Sequence, residues 1–153
     1  MIRIQMVCLG NICRSPLAEG ILRDKIEKSG INARVDSAGT GDYHVGEFAD
    51  KRSVDIAKKN SIDISRYSAK QFKQSDFAKY DLIYAMDTSN LKNILKLARN
   101  DEESNKVKLL MNEVVPGEDM SVPDPYFGGR NGFDNVFRMI DQACDKILDR
   151  LNK

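Results

Sequence analysis

The stretch "VCLGNICRSP", Val7 to Pro16, decides how this chain begins to fold. The residues "IRIQMVCL" at its start alternate and then become continuously apolar, which is typical of a strand buried in a parallel sheet. At its end, Ser15 is a favoured N-cap and Pro16 is favoured at the first helical position, so a helix is predicted to begin there. Gly30 is a favourable residue to end that helix. The stretch therefore predicts a strand, a tight loop and a helix in succession.

The rest of the chain repeats this alternation of strands and helices. Further strands are predicted in "ARVDSAG", "YDLIYAM" and "VKLLM", and further helices over residues 50–60, in "NLKNILKLA" and in the last segment. The last segment places its apolar residues on one helical face: Phe133, Val136, Phe137, Ile140, Cys144, Ile147, Leu148 and Leu151. This alternation predicts one α/β domain over residues 1–153, with a parallel sheet covered on both sides. Ligands bind such sheets beyond the carboxyl ends of the strands, where Cys8 and Asp87 are predicted to lie.

Composition limits the classes of partner. The chain has 153 residues with 24 Lys and Arg against 23 Asp and Glu, so its charge gives no reason to expect binding to nucleic acid or to a membrane surface. Three cysteines without the dense spacing of a disulfide scaffold predict a reducing compartment. Apolar runs are too short for a transmembrane helix, and "IQMVCL" leads to no cleavage site of a signal peptide. We expect a cytoplasmic protein.

The loop between the first strand and helix has the composition of an anion site. A strand–loop–helix unit directs backbone N–H groups and the positive end of the helix dipole at whatever the loop encloses. The spaced glycines and the Lys-Ser/Thr pair of a Walker loop are absent, and Cys8 is instead followed by five residues and then Arg14. A loop of this length can curl around one tetrahedral oxyanion. Arg14 adds a planar fork that binds two oxygens at once, which lysine cannot do.

Cys8 would lie at the bottom of this loop as a nucleophile. Inward-pointing amides, the helix dipole and the guanidinium all favour the thiolate, which would be held in line with a phosphorus atom. Gly10 and Asn11 tolerate the positive φ that a tight loop needs, and Ser15 can donate a hydrogen bond to the thiolate. A cysteine alone is more often a small buried hydrophobic residue. The catalytic interpretation depends on the position of Cys8 and Arg14 between a strand and a helix.

The chain resembles the low molecular weight protein tyrosine phosphatases in five motifs. They follow one another as "VCLGNICRSP", "SAGT" at Ser37–Thr40, "DYHVG" at Asp42–Gly46, "MDTSN" at Met86–Asn90 and "VPDPYFG" at Val122–Gly128. The resemblance implies a four-stranded parallel sheet in a flavodoxin-like or Rossmann-like topology. It also implies hydrolysis of phosphotyrosine monoesters through a phosphocysteine intermediate, with no metal and no cofactor. The phosphate would be bound by Arg14 and by Leu9, Gly10, Asn11, Ile12, Cys13 and Ser15.

Asp124 is the candidate general acid. A tyrosine phenol has a pKa near ~10, so its oxygen must be protonated as it leaves. Asp124 lies between Pro123 and Pro125, where helix is disfavoured and the backbone is stiff. An Asp-Pro pair alone is usually a turn. The resemblance assigns Asp124 the acid role, and then the role of base for the water that attacks the phosphocysteine.

Aromatic side chains are expected to select the substrate. Phosphotyrosine is longer than phosphoserine, so a deep pocket with aromatic walls favours it. Tyr43 and Tyr126 match the wall positions of the family, and Leu9 and Ile12 would contribute from the loop. Phe127 stands where many relatives have a second tyrosine, so the resemblance does not extend to regulation by phosphorylation of that pair. The expected partner is a phosphotyrosine-containing protein, bound by a monomer.

Asp87 and Cys13 have two interpretations each, and Tyr67 departs from the pattern of the family. Asp87 resembles a carboxylate that steadies the loop arginine in the family, and it can equally be the N-cap of the next helix. Tyr67 stands where relatives often have a histidine that braces the loop asparagine, here Asn11, while the one histidine of this chain is His44. Cys13 is either a packing residue or, as the family suggests, the partner of Cys8 in a reversible disulfide.

Four other functions are alternatives to phosphotyrosine hydrolysis for a chain with these features. Arginine phosphatases of this family typically carry threonine where this chain has Ile12. Arsenate reductases of the same fold need two further cysteines, and none lies between Cys13 and Cys144. A non-catalytic phosphopeptide-binding module would be expected to have lost the nucleophile or the acid. A flavodoxin-like electron carrier would need a hydroxyl-rich loop for the flavin phosphate, which the sequence lacks.

Overall fold

A computed structural model describes residues 1–125 and 131–152 of the chain. Its four strands are β1 (Ile2–Cys8), β2 (Ala33–Gly39), β3 (Leu82–Ala85) and β4 (Val107–Leu109). Its six α-helices are α1 (Arg14–Ser29), α2 (Lys51–Lys59), α3 (Asp76–Lys79), α4 (Thr88–Leu95), α5 (Asp101–Ser104) and α6 (Gly132–Leu151). A short 3₁₀ helix, Leu110–Glu113, follows β4. The predicted strands and long helices are confirmed, with bounds that differ by a few residues.

The strands form one sheet in the order β2-β1-β3-β4, and every pair is parallel. In this register Cys8 is opposite Gly39 of β2, and Val7 is opposite Ala85 of β3. The strand order reverses between β1 and β3, because the chain passes from β1 to one neighbour and later returns to the other. The carboxyl end of β1 is therefore the switch point at which such sheets bind ligands. The predicted four-stranded parallel sheet is confirmed.

Helices cover both faces of the sheet. Ile4 and Met6 of β1 are fully buried in a core that includes side chains of α1 and α6, such as Leu17 and Ile140. Val7 points to the opposite face, where it belongs to a second core built from these residues: Ala38, Phe72, Phe77, Tyr80, Ile83, Ala85, Ile94 and Leu109. Successive residues of a strand point to opposite faces, so the continuous apolar run in β1 reflects burial on both sides.

The start of α1 differs from the prediction. The helix begins at Arg14 with Cys13 as its N-cap residue, and Cys13 makes no side-chain capping bond. Pro16 is the third helical residue, where its missing N–H still costs no intrahelical bond. The prediction that Ser15 caps this helix is wrong, because its hydroxyl is directed at the sulfur of Cys8. The end of the helix is as predicted, with Gly30 in the left-handed conformation at φ 73°.

Short elements escaped the sequence analysis. The helices α3 and α5 and the 3₁₀ helix contain four residues each, which is too short for an apolar period to show. By contrast, α2 agrees with the helix predicted over residues 50–60, and Asp50 caps it by accepting a hydrogen bond from the N–H of Arg52. No helix among the described residues has both the length and the apolar character needed to cross a membrane.

Candidate active site

The loop after β1 is held open by backbone hydrogen bonds to its surroundings. The N–H of Thr40 donates to the carbonyl of Cys8 at 2.9 Å, that of Gly41 to Leu9 at 2.9 Å, and that of Asp50 to Ile12 at 2.7 Å. The N–H of a peptide unit points away from its C=O. Because these carbonyls face outward, the N–H groups that follow them face the inside of the loop. The amide cradle predicted from the sequence is thus supported by the two residues that follow β2 and by the N-cap residue of α2.

Cys8 lies at the bottom of this cradle. Its Sγ accepts a hydrogen bond from the N–H of Asn11 at 3.3 Å and lies 3.0 Å from Oγ of Ser15. The residue is 3 % exposed and lies beside the first turn of α1, the positive end of that helix. A thiolate has no proton to donate, so with Cys8 as a thiolate the hydroxyl of Ser15 is the donor of this hydrogen bond. The surroundings of the sulfur therefore supply the donors that a thiolate needs.

Arg14 is held in place by Asp87, which follows β3, and by the segment before Asp124. Its Nη1 donates to Oδ2 of Asp87 at 2.7 Å and to the carbonyl of Val122 at 2.9 Å, and the residue is 5 % exposed. Both bonds use the same nitrogen, and the side chain also lines the cavity above Cys8. The guanidinium can therefore offer its other nitrogens to an anion in the cradle.

Both interpretations of Asp87 are confirmed by the structure. Its Oδ1 accepts a hydrogen bond from the N–H of Asn90 and so caps α4, while its Oδ2 pairs with Arg14. One carboxylate serves two purposes because its two oxygens point to different partners. The cap fixes the carboxylate, and the carboxylate in turn fixes the guanidinium.

The two functions of Asp87 are separable by substitution. Asp87→Asn keeps a good N-cap and removes the charge that orients Arg14, whereas Asp87→Ala removes both. We expect kcat/KM to fall about tenfold in each variant, since misplacing a phosphate-binding group weakens transition-state positioning. The free energy of unfolding of the alanine variant should be about 1 kcal/mol lower than that of the asparagine variant. Denaturant melts and steady-state kinetics measure the two effects, and unaltered kinetics in both variants would exclude a positioning role for Asp87.

Asn11 adopts the left-handed conformation, at φ 57°, and three hydrogen bonds hold it there. Its Nδ2 donates to Oγ of Ser15 at 2.8 Å and to Oγ of Ser37 at 2.9 Å, and its Oδ1 accepts from the N–H of Lys70 at 2.9 Å. Gly10, by contrast, is not among the residues with positive φ. The prediction of positive φ is therefore confirmed for Asn11 and wrong for Gly10, whose lack of a side chain instead leaves room for His44: a Cβ there would lie 2.9 Å from Cδ2 of that ring.

A polar chain leads from Asn11 to Tyr67, the residue at the expected histidine position. Ser37 donates to Oε1 of Glu19, and Oε2 of Glu19 accepts from Arg23 at 2.7 Å. Arg23 also donates to the hydroxyl of Tyr67 and to the carbonyl of Val35. Burial raises the pKa of Glu19, and the bonds from Ser37 and Arg23 oppose that rise. Tyr67 thus supports Asn11 through Arg23, Glu19 and Ser37, where the family's histidine was expected to act directly.

Gly39, at the end of β2, permits the close approach of the loop. A Cβ on this residue would lie 2.6 Å from the carbonyl oxygen of Leu9 and 3.0 Å from the backbone nitrogen of Asn11. Both atoms belong to the backbone of the cradle and cannot move aside independently. In the sequence this glycine is one residue of the motif "SAGT", with nothing beside it in the chain to indicate a function. The need for glycine at this position becomes visible only when β2 pairs with β1.

Gly39→Ala should therefore damage catalysis more than a comparable clash elsewhere. We expect kcat/KM to fall at least about tenfold, because the added methyl displaces the amides of the cradle. Gly20→Ala is the matched control, since its Cβ would meet Cγ2 of Ile64 at 2.4 Å inside the core, away from the cradle. Both variants should lose about 1–3 kcal/mol of stability. Equal kinetics for the two folded variants would show that the cradle tolerates the displacement.

A cavity of about 470 Å³ opens above Cys8. Its lining comprises Cys8, Leu9, Gly10, Ile12, Cys13, Arg14, Tyr43, His44, Asp50 and Asp124. Tyr43 is 73 % exposed, so it forms a wall that is open to solvent. The structure thus brings Asp124 to the same cavity as Cys8, Arg14 and most of the loop, whereas Asn11 and Ser15 do not line it. Tyr126 and Phe127 lie outside the described residues. Sequence analysis missed His44 and Asp50, which reach the cavity from the turn after β2 and from the cap of α2.

Cys13 lies in the same cavity and is 8 % exposed. Burial, followed by the charges of Asp50, Cys8 and Asp124, raises the pKa of its thiol to about 12, and a hydrogen bond with Ser53 opposes that rise. Cys13 is therefore a protonated thiol at neutral pH, and it lines the same cavity as the group expected to be a thiolate.

Comparison with known proteins gives the same assignment as this geometry. A family profile described as low molecular weight phosphotyrosine protein phosphatase matches residues 3–153. The chain belongs to this family. Its members are protein tyrosine phosphatases, which are hydrolases that act on phosphotyrosine proteins. The low molecular weight phosphotyrosine protein phosphatase of Schizosaccharomyces pombe is 43% identical, over 96% of this chain and 95% of that protein.

Solved structures of other phosphatases have the same fold. The Entamoeba histolytica protein tyrosine phosphatase, crystallised with Hepes in its active site, superposes with a TM-score of 0.92 at 32% identity, over 99% of this phosphatase and 97% of that chain. The Drosophila arginine phosphatase superposes with a TM-score of 0.91 at 30% identity, over 99% of both chains. Fold similarity alone therefore does not separate the two substrate classes.

Proposed function

We propose that this phosphatase hydrolyses phosphotyrosine monoesters in proteins, with Cys8 as nucleophile, Arg14 as phosphate ligand and Asp124 as general acid and base. The observation that carries this proposal is the surroundings of Cys8. Its sulfur lies 3.3 Å from an inward-facing amide and 3.0 Å from a serine hydroxyl, at the bottom of a cavity also lined by Arg14 and Asp124. A buried thiolate that receives two hydrogen bonds is stabilised and stays aimed at the phosphorus.

In the first step Cys8 displaces the tyrosine. A lone pair of the thiolate forms the S–P bond while the P–O bond to the phenol breaks, and the electron pair of that bond leaves with the oxygen. Asp124 supplies a proton to this oxygen, so tyrosine leaves as the neutral phenol. Arg14 and the loop amides stabilise the charge on the three equatorial oxygens of the transferring group. Cys8, Arg14 and Asp124 all line the one cavity, which supports these roles.

In the second step water regenerates the thiolate. Asp124, now a carboxylate, accepts a proton from a water molecule while the oxygen of that water attacks the phosphorus. The S–P bond breaks, and its electron pair returns to Cys8. Ser15 donates a hydrogen bond to the departing sulfur, which lies 3.0 Å from its hydroxyl. Inorganic phosphate is then released from the cradle.

The walls of the cavity support phosphotyrosine as substrate. Leu9 and Ile12 line the cavity near the cradle, and Tyr43 forms an outer wall. We propose Tyr126 as a further wall residue, because it matches a wall position of the family. An apolar entrance of this kind accommodates a phenyl ring. Ile12 also stands where arginine phosphatases of the family typically carry threonine, which favours an ester of tyrosine over a phosphoguanidinium.

Substrate profiling tests the proposal. The purified protein should hydrolyse a phosphotyrosine peptide with a kcat/KM at least about 10²-fold above those for matched phosphoserine and phosphoarginine peptides. Arsenate reduction with a thiol donor serves as the control for the reductase of the same fold. A preference for phosphoarginine, or turnover of arsenate above that of phosphotyrosine, would refute the assignment.

We further propose that Cys13 protects Cys8 from irreversible oxidation. Peroxide converts the Cys8 thiolate to a sulfenic acid, and the Cys13 thiol attacks that sulfur, forming a disulfide and releasing water. Each protein is treated with peroxide and then reduced with dithiothreitol, and the recovered activity is measured. Recovery should be at least about fivefold lower for Cys13→Ser than for the wild type, and Cys144→Ser should recover as the wild type does. Cys144 is fully buried in the core and is a suitable control. Equal recovery by all three proteins would leave Cys13 as a packing residue.

The pH dependence of this protection follows from the thiol of Cys13. Because its pKa is raised to about 12, the fraction present as thiolate is small at pH 7 and rises about tenfold per pH unit below that pKa. Disulfide formation from the sulfenic acid should accelerate accordingly between about pH 7 and 9. Stopped-flow detection of the sulfenic acid measures this rate, and a rate independent of pH would exclude Cys13 as the attacking group.

We also propose that the protein acts as a cytoplasmic monomer that binds neither nucleic acid nor membranes. The three cysteines are free thiols, which supports a reducing compartment, and the net charge is +1. Sedimentation equilibrium at micromolar concentration should give a mass near 17.3 kDa. A concentration-dependent dimer mass would contradict this part of the proposal.

A further inference from the structure

A second cavity, which we call the lysine cleft, lies beside the catalytic cavity. It has a volume of about 550 Å³, and the residues of its lining that matter here are Asp42, Val45, Lys70, Lys73, Asp76 and Lys79. The mechanism above uses no side chain of this cleft.

The two cavities share one wall. In the turn after β2, Tyr43 and His44 line the catalytic cavity, whereas Asp42 and Val45 line the lysine cleft. The turn is closed by a hydrogen bond from the N–H of Val45 to the carbonyl of Asp42 at 3.4 Å. It is tied to the segment before Lys70 by a bond from the N–H of Gly46 to the carbonyl of Ala69 at 2.8 Å. The cleft is therefore held at a fixed position, a single turn away from the catalytic cavity.

The cleft has more positive than negative side chains. Three lysines line it against two carboxylates, Asp42 and Asp76. Oδ2 of Asp76 faces the protein interior, where it accepts hydrogen bonds from Nε2 of Gln5 at 3.2 Å and from the N–H of Lys73 at 3.1 Å. Its Oδ1 reaches Nζ of Lys79 only at 4.0 Å. The buried carboxylate is thus already engaged and does little to neutralise the lysines at the surface.

Two of the lysines have no acidic partner within the part of the chain that the structure describes. The side chains of Lys70 and Lys73 are exposed and make no ion pair with residues 1–125 or 131–152. Lys79 is 65 % exposed and makes only the long contact to Asp76. An anion entering the cleft would meet these ammonium groups without first displacing an internal ion pair, which lowers the cost of binding it.

We propose that the lysine cleft binds an acidic side chain of the substrate protein, a few residues from the phosphotyrosine. An extended chain spans about 3.3–3.6 Å per residue, so roughly three to four residues suffice to pass over one turn from the catalytic cavity to the cleft. This inference rests on the proposed function, because the phosphotyrosine places the polypeptide. It assigns this enzyme a preference for phosphotyrosines in acidic sequence surroundings.

Matched peptides test the inference. Three phosphotyrosine peptides are compared: one with glutamates three and four residues before the phosphotyrosine, one with glutamates three and four residues after it, and one with glutamines at all four positions. Each peptide is assayed with the wild type, with the double variant Lys73→Gln/Lys79→Gln and with the control variant Lys146→Gln. The single variant Lys73→Gln is included in case the double variant folds poorly. Lys146 lies exposed on α6, outside the lining of either cavity, and its variant removes one charge at a distant position.

The wild type should favour at least one glutamate peptide over the glutamine peptide by about three- to tenfold in kcat/KM, chiefly through KM. This preference should fall to less than about twofold in the double variant, fall partly in Lys73→Gln, and decrease as salt rises. Lys146→Gln should retain it. Absence of a preference in the wild type, its persistence in the double variant, or an equal loss in Lys146→Gln would each overturn the inference.

p-Nitrophenyl phosphate distinguishes failure of the inference from failure of the proposed function. This substrate has no polypeptide to reach the lysine cleft. If the wild type hydrolyses neither it nor any phosphotyrosine peptide, the proposed function fails and the inference falls with it. If hydrolysis is normal and only the glutamate preference is missing, the inference alone is wrong.

Discussion

Cys8→Ser should lose at least about 10³-fold in kcat toward every aryl phosphate while still folding and binding inorganic phosphate. A serine hydroxyl stays protonated at neutral pH and is a poor nucleophile, whereas the loop amides and Arg14 that bind the anion are untouched. The side chain is 3 % exposed and nearly isosteric with serine, so the geometry of the cradle should persist. Steady-state kinetics measure the loss, and isothermal titration with phosphate measures the retained binding.

Cys144→Ser provides the control for the cost of placing a hydroxyl where a buried thiol was. Cys144 is fully buried in α6, away from the lining of the catalytic cavity. This variant should be less stable and yet retain the kcat of the wild type in its folded fraction. Trapping with acid during turnover should give a phosphorylated protein for the wild type and none for Cys8→Ser. Activity of Cys8→Ser above a few per cent of wild type would assign the nucleophile elsewhere.

Asp124→Ala should slow hydrolysis of phenyl phosphate and phosphotyrosine by about 10²–10⁴-fold, the usual contribution of general acid catalysis. The loss should depend on the leaving group, because a more basic oxygen needs the proton more. p-Nitrophenol is far more acidic than phenol, so its phosphate should show a clearly smaller loss. The measurement is kcat for a series of aryl phosphates with both proteins, plotted against the pKa of the leaving phenol.

Asp124→Asn separates the proton from the shape of the side chain. Asparagine keeps the size and the hydrogen-bonding capacity of aspartate and cannot protonate a phenolate. It should therefore resemble the alanine variant in its dependence on the leaving group, and the alkaline limb of the pH profile should flatten in both. A uniform loss across the series would mean that Asp124 only shapes the segment beside Arg14.

Short-range patterns in the sequence were sufficient for the framework of the molecule. The apolar run that ends at Cys8 predicted a strand buried on both faces, and the alternation that follows predicted a parallel sheet with helices on both sides. Cys8 and Arg14 lie within one loop of seven residues, so their proximity depends on local backbone geometry alone. For the same reason the positive φ of Asn11 and the cap at Gly30 were predictable, since each reflects the conformational preference of a single residue.

The register of the sheet decided what lies around that loop. Arg14 meets Asp87 and Val122, which are distant in the chain, because the carboxyl ends of β1 and β3 lie side by side. Asn11 is bound by Ser37 and Lys70, and the methyl that Gly39 lacks would overlap with the loop. Such contacts depend on which strands pair and in what register.

The same distinction applies to the two cavities. The motif "DYHVG" identifies the residues of the turn after β2. It does not show to which side of the turn each side chain points. Likewise, nothing in the sequence distinguishes three lysines, Lys70, Lys73 and Lys79, from other solvent-exposed lysines. Packing of the segment before α3 against the end of β2 gathers them beside the catalytic cavity. Local periodicity and the backbone preferences of single residues were sufficient to predict the fold and the nucleophile loop. The residues that support this loop and form the neighbouring cleft became apparent only in the folded molecule, because sheet pairing brings them together over long chain separations.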